Sequence, residues 1–92
     1  MSALSTAALP LVKFRLNRLS TDTSLDTYLT AIIGAAEQEL TRKGITLADN
    51  DDDKMLLVEY ATWRYLARDT TSLMPPWLAL RIRERWISEV RE

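Results

Sequence analysis

The chain has no cysteine and no histidine, and only two glycines and three prolines among its 92 residues. Without cysteine there is no disulfide and no thiolate site, and the redox compartment stays open. Without histidine the commonest general base and the commonest metal ligand are both missing. With Gly34 and Gly44 as the only glycines, no glycine-rich phosphate loop can form. No apolar run approaches the ~20 residues of a membrane span, so no membrane partner is expected. The opening residues MSALSTAALP lack a basic stretch followed by a long apolar one, so they do not read as a secretory signal, and a cytoplasmic origin is the expectation. Excess charge is lacking too: twelve Lys/Arg face thirteen Asp/Glu, a net −1. That balance makes no bulk electrostatic case for tight nucleic-acid binding.

What is present is ordinary globular composition, 47% hydrophobic and 27% charged, in a length that makes one domain with a modest core. The chain is organised around 55–68, MLLVEYATWRYLAR. At helical periodicity Leu56, Tyr60, Trp63 and Ala67 share one face, and Met55, Val58, Thr62, Tyr65 and Leu66 another. Glu59 separates the two on one side, Arg64 and Arg68 on the other. A surface helix needs one apolar stripe. A helix with two is central to its domain or carries a second contact, which in so small a protein can be another subunit.

Taken in order, residues 1–9 read as a flexible N-terminal arm and 10–92 as the helical domain. Pro10 suits a first helical turn, which places a short helix over 10–18 with Val12, Leu16 and Leu19 on one face. Residues 20–24 form a polar turn with Thr23 or Ser24 as cap. The second helix runs to about Lys43, its core stripe made by Leu25, Tyr28, Leu29, Ile32, Ile33, Ala36 and Leu40, and Gly44 is a natural left-handed terminator. Gly34 lies opposite that stripe, either as a tolerated exposed glycine or as a smooth face for a neighbouring helix.

The acidic run 49–53 resembles a calcium loop but has Lys54 sixth and Tyr60 twelfth, where Gly and a bidentate Glu are required. Asn50 as N-cap, with Asp51, Asp52 and Asp53 in the first turn, accounts for it better. The central helix is expected to end near Asp69 and a linker to cover 70–74. A last helix follows over 77–90, with Leu78, Ile82, Trp86 and Val90 as its inner stripe and Pro76 in its first turn. The whole reads as an all-α compact bundle of about four helices with no strand. The core is expected from Leu29, Ile32, Ala36, Leu40, Leu56, Tyr60, Trp63, Ile82 and Trp86, with Trp77 also more core than surface.

No carboxylate pair, metal-ligand set or activated nucleophile emerges, so neither an enzyme nor a cofactor is expected. The more telling feature is nine arginines against three lysines. Arg64 and Arg68 lie one turn apart, as do Arg81 and Arg85; Arg83 falls in the apolar arc of the last helix, where it snorkels or meets another subunit. Arginine is enriched at interfaces, so these five are candidate subunit or partner contacts. Pairing with the chain's own carboxylates is the alternative.

The order and spacing of three segments resemble the small head–tail connector (adaptor) proteins of tailed bacteriophages and prophages. LVKFRLNRLSTDTSLDTYLTAIIGAAEQEL is similar to their opening, MLLVEYATWRYLARD to their central helix, and MPPWLALRIRERW to the start of their closing helix. The likeness covers roughly residues 10–90; the acidic run 49–53 and the short tail after Val90 depart from the pattern. It implies a virion structural protein at the head–tail interface, assembled in the host cytoplasm. Such a protein forms a homo-oligomeric ring, a dodecamer being one candidate and a monomer the expected isolated state. The ring joins the portal to tail-completion or head-closure proteins and leaves an axial channel for non-specific passage of DNA. The alternative is a small helical DNA-binding or regulatory module, using the last helix for recognition.

Overall fold

A computed structural model describes residues 3–18, 21–68 and 73–91, and within them four helices and no strand: α1 (Ala3–Arg15), α2 (Asp26–Arg42), α3 (Asp51–Leu66) and α4 (Pro76–Val90). The protein is all-α. Leu19, Ser20, Asp69 and the 70–72 part of the linker lie outside the described residues.

α1 begins well before Pro10. Ala3, Leu4, Ala7, Ala8 and Leu9 are good helix formers, and Leu4 and Ala8 continue the Val12 stripe upstream, so residues 3–9 of the segment read as a flexible arm are helical, with Leu4, Ser5 and Ala8 buried. Pro10 therefore sits inside the helix, with its ring on the exposed side. The helix stops at Arg15, short of residue 18, because Asn17 turns left-handed at φ 60°. The N–H groups of Asn17 and Arg18 then close back onto the Phe14 and Lys13 carbonyls at 3.0 and 2.8 Å.

α2 ends in the same way. Gly44 adopts φ 94°, its N–H bonds to Thr41 and that of Ile45 to Leu40, each at 3.0 Å. At the other end of α2 the structure corrects the expected cap. Leu25 occupies that position with no side-chain bond, and Asp22 accepts from the N–H and hydroxyl of Ser24 at 3.0 and 2.7 Å. A short carboxylate two residues ahead closes an Asx turn before either hydroxyl can cap. Asn50 caps α3, accepting from the Asp53 N–H at 2.8 Å.

α3 is the axis of the fold. It packs against α1, α2 and α4, and α1 also packs against α2; α4 touches α3 alone among the helices. With neighbours on three sides, both apolar faces of α3 are used within the chain: Leu56, Leu57, Val58, Tyr60, Ala61, Thr62 and Tyr65 are all buried. Leu29, Ile33, Ala36 and Leu40 of α2 join this core, as do Leu78 and Ile82 of α4; Ile32 and Trp63 are partly buried against it. Lys13 is buried as well and reaches Asp26 at 3.0 Å, tying α1 to the start of α2. A Cβ added at Gly34 would meet nothing within 4 Å.

Candidate assembly surface

The arginines divide sharply once their partners are known. Arg85, on α4, sets its guanidinium fork on Asp53 of α3, with Nε to Oδ1 at 2.8 Å and Nη2 to Oδ2 at 3.1 Å. It also donates to Glu89 at 3.0 Å and to the Thr46 carbonyl at 2.9 Å. Asp53 in turn accepts from the Ala48 N–H at 2.7 Å. Burial pushes the Asp53 carboxyl up, but the Arg85 fork and the Ala48 N–H outweigh that, so it titrates below the ordinary carboxylate range. Hydrogen bonds to Asp53 and Glu89 raise Arg85 in turn, against its own burial. Glu89, bonded by Arg85 and by the Thr46 N–H, is lowered.

Arg81 pairs with Glu59 and lies 3.8 Å from Asp52. Arg64 pairs with Glu39 of α2, a carboxylate that also accepts from the Tyr60 hydroxyl. Burial raises the Tyr60 phenol above its usual value. Arg68 donates to the Tyr65 carbonyl at 2.6 Å and lies 3.9 Å from the centre of the Tyr65 ring. Arg83 is exposed and has no ion pair among the described residues. Of the five arginines expected at an interface, three therefore join elements of their own chain, Arg68 contacts Tyr65 just beyond the end of α3, and Arg83 is left to face outward.

Apolar surface is left over on α4 above all; elsewhere Phe14 of α1 is exposed, and so is Tyr28 of α2, which was expected in the core stripe. Trp77 is 52% exposed, Leu80 56%, Trp86 42% and Val90 57%. Trp77 and Trp86 were expected in the core, and the reason they are not is geometric. Steps of four residues advance about 40° around a helix, so the Leu78–Ile82–Trp86–Val90 series turns away from the core by its third member. The register under α4 is Leu78, Ile82, Arg85 and Glu89, whose mixed character hid it in the sequence. Around α4 from Trp86 to Leu80 lie Ala79, Val90, Arg83 and Ile87, an apolar arc with one cation in it. The start of α4 adjoins a shallow groove of about 230 Å³ lined by Trp63, Leu66, Ala67, Leu73 and Pro75, in which Leu66 and Leu73 are exposed. Exposed Leu80 and the role of Asp53 as a buried ion partner are the features that sequence reading missed; the first was detectable as a second apolar arc on 77–90.

No family model, curated protein or solved structure matches this chain.

Proposed function

We propose that this protein is a head–tail connector of a tailed phage or prophage, a ring-forming adaptor between portal and tail-completion proteins with an axial channel for DNA. One observation carries the reading: Val90, Ile87 and Leu80 lie along an arc of α4 broken only by Arg83 and flanked by the half-exposed Trp77 and Trp86, with no other described helix over it. Contiguous exposed apolar surface rimmed by polar residues marks association sites. A ring needs a patch that meets a different patch on the next copy, and an apolar helix face at one edge of the fold can serve as one of the two. Three of the candidate arginines have their charge matched within the chain, and net charge is near zero. That suits a lumen through which DNA must slide, since a strongly basic wall would hold phosphates.

DNA binding through α4 is less well supported, because Arg81 and Arg85 are committed to carboxylates and only Arg83 and Arg91 remain on the helix or its cap. The test is sedimentation of the purified chain over a wide concentration range, alone and with the portal protein of the same genome. Closed rings, or a complex with portal, are expected. A chain that stays monomeric throughout and binds neither portal nor a tail-completion protein refutes the adaptor reading; salt-dependent binding to duplex DNA would favour the alternative.

A further inference from the structure

α4 is held differently from the other helices. It rests on α3 and on the 44–48 connection, and two buried apolar side chains, Leu78 and Ile82, anchor it. Trp86 also lays its half-exposed indole against Gly44, and the remaining contacts are polar: the Arg85 fork on Asp53, Arg81 on Glu59, and Glu89 bonded by the Thr46 N–H at 3.3 Å. Charges that separate into water are rehydrated, whereas separated apolar surface is not, so a joint of this kind opens more readily than one of equal area made of leucine. α1, α2 and α3 by contrast each pack on the other two and supply nearly all of the core, to which α4 adds Leu78 and Ile82.

We propose that α4 is a detachable arm: it opens from α3 as a unit while α1–α3 stay folded, and the Arg85–Asp53 fork is its latch. Opening frees Leu78 and Ile82 in addition to the outer apolar arc, so the released helix offers both of its apolar faces to a partner. The inference stands on the joint itself and does not require the adaptor reading.

Native-state hydrogen exchange on the full chain tests it, with mid-helix amides of α4 (Ile82 to Trp86) as reporters and those of Ile33 and Ala61 as references. In the parent, the α4 reporters should exchange at least about tenfold faster than the references, through an opening only weakly dependent on denaturant. Arg85→Ala should speed the α4 reporters by roughly a further tenfold or more while keeping them ahead of the references, whereas Leu57→Ala in α3 should speed the references and leave the α4 reporters nearly unchanged. Arg83→Ala, on the outer face, should change neither. Exchange of α4 in step with the references in the parent overturns the proposal. So does a Leu57→Ala variant that speeds the α4 reporters as much as the references, or an Arg85→Ala variant that fails to fold, because α4 is then part of one cooperative unit. An Arg83→Ala effect as large as that of Arg85→Ala removes the latch assignment.

Discussion

α3 and α4 are similar in length and composition, and each carries apolar residues on more than one side, yet the fold spends them in opposite ways. α3 lies among three helices, so most of its second apolar face (Val58, Thr62 and Tyr65) is buried within the chain, with Leu66 at its end left exposed. α4 has α3 on one side only and keeps its second face outside. Amphipathicity on two faces states that a helix needs two contacts; whether the second comes from the same chain depends on where the helix sits in the bundle. The contrast also separates the forces involved. α3 is fixed by close-packed apolar side chains, α4 by two apolar anchors and a set of ion pairs.

The largest effect is expected at the centre of α3. Leu57 is fully buried, so Leu57→Ala should cost about 3–5 kcal/mol by urea denaturation, through lost burial and the cavity left behind. Trp86→Ala removes a larger side chain but should cost less, about 2 kcal/mol, because that ring is 42% exposed. Equal losses would erase the distinction between the two helices.

Next is the joint between them. Asp53→Ala leaves the Arg85 fork and the Ala48 N–H without their acceptor and should cost about 2–3 kcal/mol. The pH dependence has a definite sign. The folded carboxyl titrates below its unfolded value, so its contribution is complete above the unfolded pKa of ~3.9 and is lost as pH falls through the folded one. Stability of the parent should therefore fall more steeply below about pH 4 than that of Asp53→Ala, in melts from pH 2 to 6. Glu89 and Asp22, also lowered, make both proteins acid-sensitive, so the difference between the two curves is the informative quantity.

A smaller effect, of opposite sign, is expected inside α3. The Thr62 hydroxyl is buried with no hydrogen-bond partner among the described residues. Thr62→Val keeps the shape and removes the unsatisfied group, and should raise stability by about 1 kcal/mol. A loss of stability would mean that the hydroxyl is satisfied in solution.

How far the sequence announced this depends on how local each determinant is. The Asn50 cap and the Gly44 turn are written in adjacent residues, and four helices follow from stripes that repeat within one element. The start of α1 was masked by Pro10, a legitimate first-turn residue that α1 carries in its interior with the ring turned outward. The α4 register was harder, because the face that docks is Leu78, Ile82, Arg85 and Glu89, and its last two members are half-buried, held by Asp53 and Thr46, which arrive from elsewhere in the chain. Arginine pairing has the same character: Arg64 with Glu39 and Arg81 with Glu59 are fixed by packing between helices and leave no pattern in spacing.

The smallest effect on stability should come from the outer face of α4, where it is joined to the largest effect on association. Leu80 is 56% exposed, and Arg83 is exposed with no ion pair among the described residues. Leu80→Ser and Arg83→Glu should therefore each leave the melting midpoint nearly unchanged, within about 0.5 kcal/mol. If this face meets a second copy or the portal, Leu80→Ser removes apolar area from the contact and should raise the concentration needed for assembly by roughly tenfold, whereas Arg83→Glu reverses a rim charge and acts on the rate of association and its salt dependence. Arg64→Glu is the counterpart on α3. It breaks a pair with Glu39 inside the chain, so it should cost stability first and affect assembly only through that loss. Sedimentation and melting of the three variants side by side decide the matter. Assembly that withstands both α4 changes but fails with a fully folded Arg64→Glu would move the interface from the outer face of α4 to the α2–α3 side.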